Sequence, residues 1–367
     1  MKLTATPLGS TSQQPSALLR AIQSVFVYRA LTLSAVFSFT GISLADEGGV
    51  SFWLPGQFGS LAATPQQPGW SAAWIYYHTT VAAGGDVALS RQFEIGNIPA
   101  NLSAHVNANL NSTGDLGFFI PSYVFATPVF GGRAAVSVLG IYGNSSTSLA
   151  GTVAGTLGGM PFGLLSTNIS NSTTGFGDLC PQFALRWNSG VNNYMTYITG
   201  DVPVGDYSST SLSNIGIGHG AVDAGGGYTY FNLQTGHELS AVLGVTYNLI
   251  NPSTQYQNGV DMHLDWGASQ FLTQQVQVGL VGYLYEQASC DSGSGDHVGC
   301  FESRVAGIGP QIGFIFPVGG MQGYLNFKAY AEFDAADRPS GWDAWVTFSI
   351  SPAAPAPTTP PPPMVTK

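Results

Sequence analysis

Apolar and polar residues alternate along one stretch of this chain after another. In MQGYLNFKAYAEF (321–333), Gln322, Tyr324, Asn326, Lys328, Tyr330 and Glu332 share one parity, and Leu325, Phe327, Ala329 and Phe333 share the other. HELSAVLGVTYNL (237–249) sets Leu239, Ala241, Leu243, Val245 and Tyr247 against Glu238, Ser240, Thr246 and Asn248. DMHLDWGA (261–268) sets Asp261, His263 and Asp265 against Met262, Leu264 and Trp266. PQFALRWN (181–188), which carries Arg186, SRVAGIGPQIGFIF (303–316) and WDAWVTFSI (342–350) behave in the same way. Successive side chains of an extended chain point to opposite faces, so a period of two predicts strands with one apolar and one polar face.

Turn chemistry separates these strands. Short connections fall near 128–131, 188–191, 232–236, 270–274 and 317–320, and long polar ones near 81–100, 144–174, 203–221, 250–258, 288–302 and 334–341. Five short turns alternating with six long loops predict twelve antiparallel strands. That even number returns both ends to the short-turn, periplasmic side. An extra pair within 88–127 would make fourteen.

Composition decides which face meets water. The chain has 367 residues, of which 44% are hydrophobic, 12% aromatic and only 8% charged, with 48 glycines. An ordinary soluble domain is about a quarter charged. Beyond the N-terminal region no apolar run approaches the roughly 20 residues that a transmembrane helix needs. Together these features predict an all-β transmembrane antiparallel barrel in the bacterial outer membrane. The apolar parity then faces lipid and lipopolysaccharide. Asp261, His263, Asp265, Glu238, Arg186, Tyr324, Lys328, Tyr330 and Glu332 line the lumen, joined by Tyr283 and Tyr285 and by Trp345. Trp70, Trp74, Tyr76, Trp187, Tyr194, Trp266 and Trp342 suit the aromatic girdles at the two membrane interfaces.

The ends of the chain carry their own signals. Arg20 and Arg29 precede the apolar run ALTLSAVFSFTGISLA, which closes on Ser43 and Ala45 in the small-x-Ala spacing of a signal-peptide cleavage site. Residues 1–45 therefore read as a signal peptide and the mature chain as starting at Asp46. Loss of Lys2, Arg20 and Arg29 leaves 7 basic against 20 acidic residues, a net charge of −13. That balance argues against nucleic-acid partners. Residues 46–69 are Gly/Pro-rich yet carry Phe52, Trp53, Leu54 and Phe58, an apolar irregular segment that needs burial, for which the lumen of a 70–351 barrel is the nearest place. The reading is a plug; contact with a periplasmic partner is the alternative. Residues 352–367 are Pro-rich and predicted to be extended and disordered. They displace the terminal aromatic that the barrel-assembly machinery reads in many such proteins, and Phe348 of the last strand is the substitute.

Candidate chemistry changes little. Export to an oxidising compartment predicts a local disulfide between Cys290 and Cys300 across a polar Gly-rich loop, leaving Cys180 as a small side chain in a strand. Asp261, His263 and Asp265 could form a catalytic set or a metal site, but one lumen-facing strand explains them without either. The chain holds no nucleophile elbow, no HExxH, no zinc-type Cys/His spacing and no phosphate loop; GIGHGA (216–221) lacks a following Lys-Ser/Thr. The expectation is a protein that is not an enzyme and uses no cofactor and no metal.

Long strings extend this pattern to a resemblance: EGGVSFWLPGQFGSLAA (47–63), TGFGDLCPQFALRWN (174–188), YMTYITGDVPVGDY (194–207), IGIGHGAVDAGGGYTYFN (215–232), TQYQNGVDMHLDWGASQF (254–271), GIGPQIGFIFPVGGMQGYLNFKAY (307–330) and RPSGWDAWVTFSISP (338–352). Through nearly the whole mature chain they resemble the family of outer-membrane proteins of the meta pathway of phenol degradation, similar in class to outer-membrane channels for long-chain fatty acids and toluene-type hydrocarbons. The resemblance implies uptake of hydrophobic or aromatic small molecules and brings no catalytic residues. Tyrosines beside Lys328 and Glu332 on the lumen face suit phenolic or amphipathic ligands. The alternatives are a non-selective diffusion or structural barrel, a channel for long-chain or sphingoid lipids, and, more remotely, an outer-membrane lipid hydrolase.

Overall fold

A computed structural model describes residues 51–84, 102–157, 160–296, 300 and 302–354. Its elements are twelve strands: β1 (Gly69–Gly84), β2 (Leu102–Val124), β3 (Arg133–Leu157), β4 (Met160–Ser189), β5 (Asn192–Asp201), β6 (Ala221–Phe231), β7 (His237–Asn248), β8 (Asp261–Phe271), β9 (Val276–Gln287), β10 (Arg304–Val318), β11 (Met321–Ala336) and β12 (Ser340–Pro352). Each pairs antiparallel with its neighbours in sequence, and β1 pairs with β12, Tyr77 opposite Trp345, to close the barrel. Closure gives every strand a partner on both sides over the common length of the wall, which is the condition for backbone to cross hydrocarbon. The signal peptide expected over residues 1–45, residues 46–50 and most of the Pro-rich tail lie outside the described residues.

Three expectations about the wall need correction. Residues 144–174 are not a loop: β3 runs on to Leu157, and β4 starts at Met160, pairing Ser148 with Ser170 and Asn144 with Thr174. Their Ser, Thr and Asn side chains accept extended backbone but show no apolar parity. A strand of 25 or 30 residues at about 3.3 Å per residue far exceeds an apolar band about 25 Å tall. Beyond the membrane the outer face meets water instead of lipid and turns polar, so the alternation fades while the ladder continues; on the inner side Leu110 and Leu149 still pack against Leu212 of the β5–β6 connection. The extra pair within 88–127 is also absent from the described residues, because β2 is one continuous strand from Leu102 to Val124. The loop placed at 334–341 likewise shrinks, since β11 continues to Ala336 and β12 begins at Ser340.

Within the membrane-length strands the parity is strict. In β8, Met262 is 41% exposed whereas Asp261, His263 and Asp265 are each 1% exposed. In β7, Leu239, Leu243, Val245 and Tyr247 point outward while Glu238, Ser240, Thr246 and Asn248 are buried. Glycine makes room for large rings on both faces. A Cβ on Gly307 would sit 2.3 Å from the Tyr283 ring of the opposite residue, and one on Gly282 would sit 2.5 Å from Trp266. Part of the high glycine content is thus the cross-strand complement of the aromatic content.

The longer loops are tied down by carboxylates. Asp178 accepts from Gly205 N and Ile217 N, both at 2.8 Å, and Asp206 accepts from Phe176 N at 2.8 Å, which seats the β5–β6 connection against the extended part of β4. Cys290 and Cys300 are joined by a disulfide in the β9–β10 loop, and Cys180 lies in β4 with its Sγ 3.7 Å from Asp201 Oδ1.

Candidate functional site

Residues 51–64 lie inside the barrel. Pro55-Gly56 begins the entry, with Gly56 at φ +88° and its α-carbon against the Tyr330 ring, where a Cβ would come within 3.0 Å. Both the positive φ and the close approach demand glycine. The turn leaves backbone polar groups in a largely buried place, where the wall supplies their partners. Asp265 of β8 accepts from Gly56 N at 2.9 Å and from Phe58 N at 3.1 Å. Lys328 of β11 supplies the opposite charge: its Nζ donates to the carbonyls of Gly56, Gln57 and Phe58. One carboxylate and one ammonium therefore grip both sides of a single turn.

Further along, Glu238 of β7 accepts from Leu61 N at 2.9 Å, and Thr229 Oγ1 of β6 accepts from Ala63 N at 3.1 Å. Gln311 of β10 donates to Ser60 Oγ at 2.6 Å, and Arg186 of β4 donates to Ala62 O at 3.4 Å. Trp53 stacks on His263 with ring centroids 3.7 Å apart, and His263 Nε2 is 2.9 Å from Asp223 Oδ2. The Asp-His-Asp parity of β8 thus divides its work: Asp265 holds segment backbone, His263 carries a segment ring, and Asp261 bonds Asn248 Nδ2 at 2.8 Å within the wall.

The tyrosines fill the space beside this turn. Tyr283 Oη lies 2.9 Å from Glu332 Oε1 and 3.0 Å from Asp343 Oδ2, and Tyr283 packs on Tyr330 with centroids 4.9 Å apart. Tyr324 accepts from Gln277 Nε2 at 2.7 Å, and Tyr285 lies under the Arg338 guanidinium. The Trp345 ring is 5.0 Å from Lys328 Nζ. Of the twelve residues expected on the lumen face, Asp261, His263, Asp265, Glu238, Lys328, Tyr330, Tyr283, Tyr285 and Trp345 are buried, and Arg186, Tyr324 and Glu332 face inward through the contacts above; Phe52, Trp53, Leu54 and Phe58 lie in the interior.

Sequence parity missed a second half of the interior. Among the described residues, the hydrogen bonds of residues 51–64 to the wall all go to β4, β6, β7, β8, β10 and β11. On the facing arc, β1 to β3 turn Ile75, Phe118, Ile120, Leu139 and Ile141 inward. Between this arc and Phe52, Leu54 and Phe58 lies a cavity of about 160 Å³, also lined by Ser137, Cys180, Gln182, Thr199 and Trp345. The available signal was LGFFIPSYVF (116–125), apolar at both parities, as in a strand covered on both faces. Among the described residues, nothing in this interior is built as a metal site. Cys290, Cys300 and Glu302 cluster elsewhere, and the two sulfurs are bonded to each other.

One solved barrel shares the fold of this wall. The COG4313 outer-membrane channel from Pseudomonas putida F1 superposes with a TM-score of 0.56 at 12% identity, covering 81% of this chain and 99% of that one. A FadL homologue from Pseudomonas aeruginosa gives a TM-score of 0.38 at 10% identity, covering 85% of this chain and 98% of that one. The transport unit of the autotransporter AIDA-I from Escherichia coli gives 0.40 at 9% identity, covering 79% and 92%. None of the curated proteins compared matches the chain. A closed antiparallel barrel of even strand number with an outward apolar band is the architecture of the bacterial outer membrane, and this protein is an outer-membrane β-barrel. A family model described as "Putative MetA-pathway of phenol degradation" matches residues 70–348, nearly the whole barrel, and the chain belongs to that family.

Proposed function

We propose that the protein is an outer-membrane channel for the uptake of small hydrophobic or aromatic molecules, with residues 51–64 as the obstacle that makes it selective. The observation that carries this reading is the division of the interior. A polar arc holds the segment by its backbone, and an apolar arc leaves a gap lined by rings and branched chains. A general diffusion pore needs a wide wet lumen and no such segment. The family's description, and the channel role of the Pseudomonas putida barrel that shares this fold, support the same reading.

Removing residues 48–66 tests it. The shortened barrel should show a sharply larger single-channel conductance and no preference among solutes. The intact protein should speed entry of phenol into cells limited by their outer membrane and leave sugar uptake unchanged. An intact barrel that already conducts like an open porin, with no effect of its deletion on growth on aromatic carbon sources, would replace this reading with non-selective diffusion.

A further inference from the structure

Taking the uptake reading one step further, we infer that the cavity between residues 52–58 and the inner face of β1–β5 and β12 is a binding site for a single-ring aromatic molecule bearing one hydrogen-bonding substituent. Size is the first argument. About 160 Å³ is available, and an engineered cavity of about 150 Å³ lined by Leu, Ile and Phe stays dry and takes up benzene. Drug-sized ligands need about 300–1,000 Å³, so an acyl chain or fused-ring solute does not fit without moving the wall.

Lining is the second argument. Phe58, Phe118 and Trp345 present rings, and Leu139 and Ile141 close the space between them. Aromatic pairs in offset or edge-to-face arrangement attract beyond simple burial, so this lining favours an aromatic ring over an alicyclic one of equal bulk. The third argument is polarity. Gln182 lines the cavity, and its amide makes no hydrogen bond to another of the described residues. This half-buried amide stands beside Ser137 and Thr199 and is open to pair with a polar group on a ligand. A phenolic hydroxyl on the bound ring supplies both a donor and an acceptor. The segment closes the site: Trp53 and Phe58 are positioned by the Asp265 and Lys328 grip, so the cavity exists only while the turn is seated.

The test is binding by the purified full-length barrel in lipid nanodiscs, with para-fluorophenol followed by fluorine NMR and phenol, cyclohexanol and naphthol as competitors. Saturable binding is expected, displaced by phenol at least tenfold more effectively than by cyclohexanol or naphthol. Leu139→Trp should fill the cavity and weaken binding at least tenfold. Leu139→Ala should enlarge it and let naphthol compete. Gln182→Leu should weaken phenol about tenfold while leaving fluorobenzene unchanged. Each variant is first shown to be folded by its heat-modifiable migration. Absence of saturable binding, or equal affinity in the wild type and Leu139→Trp, overturns the site. If Leu139→Trp is not folded, the Leu139→Ala gain with naphthol decides alone, and its absence overturns the site. Phenol entry into cells without binding here would leave the uptake reading standing and sink the site, whereas binding without entry would do the reverse.

Discussion

Replacing Asp265 by Ala tests how the interior segment is held. Asp265 is 1% exposed and accepts two backbone N–H groups, from Gly56 at 2.9 Å and Phe58 at 3.1 Å. Hydrogen bonds to a charged partner contribute about 1.5–3 kcal/mol each, so the pair is worth about 3–6 kcal/mol to the seated turn. Water entering the vacated space would recover part of this, which argues for the lower figure. At about 1.4 kcal/mol per tenfold, 3 kcal/mol raises the fraction of unseated segment about 100-fold. Planar-bilayer recording reads that fraction as time spent at the conductance of the barrel lacking residues 48–66. Asp265→Asn keeps one acceptor and should fall between the wild type and Asp265→Ala. Lys328→Met releases the carbonyls of the same turn, so its effect should be less than additive with that of Asp265→Ala. An Asp265→Ala barrel whose open time rises less than threefold would refute the idea that this carboxylate is a principal anchor.

The other predictions concern the wall. Leu264→Arg, on the outward face of β8 between Leu243 and Leu284, should impair insertion by roughly 2–4 kcal/mol if it meets mid-bilayer. His263→Ala should still insert as a heat-modifiable barrel, losing the Trp53 stack, about 0.5–1.5 kcal/mol, and the hydrogen bond to Asp223, about 1.5–3 kcal/mol; equal membrane insertion of the two variants would mean the faces are misassigned. Gly307→Val drives a side chain into the Tyr283 ring and should destabilise by about 1–3 kcal/mol, read as a lower melting temperature. Gly140→Ala, whose new Cβ meets Leu179 at an ordinary 3.6 Å, should melt like the wild type. Unfolded without reductant, the protein should take up one thiol label, on Cys180. Cys290→Ser should cost about 2–3 kcal/mol for opening so short a loop, measured by denaturant titration.

The wall was legible in the sequence because a strand between lipid and lumen must alternate. Residues 237–249, 261–268 and 321–333 state their parity outright, and turn residues divide the strands. Where that constraint ends the legibility fades: Ser145–Thr173 continue a ladder whose outer face meets water, so only scattered residues such as Leu149 and Ile169 declare an inner side. The interior segment was legible as a need, since Phe52, Trp53, Leu54 and Phe58 cannot remain in water. Its seat was not. That Asp265 and Lys328, 63 residues apart in the chain, grip one turn, and that Glu238 and Thr229 hold the next, follows from ring closure and strand register. Nor could parity show which lumen-facing residues surround a gap. Ile75, Phe118, Leu139 and Ile141 come from three strands, and only the curvature of the closed barrel brings them opposite Phe58. The sequence determines each residue's face, because a strand has two sides; the tertiary structure decides what each inward residue meets, because that depends on the barrel's closure and on where the segment lies.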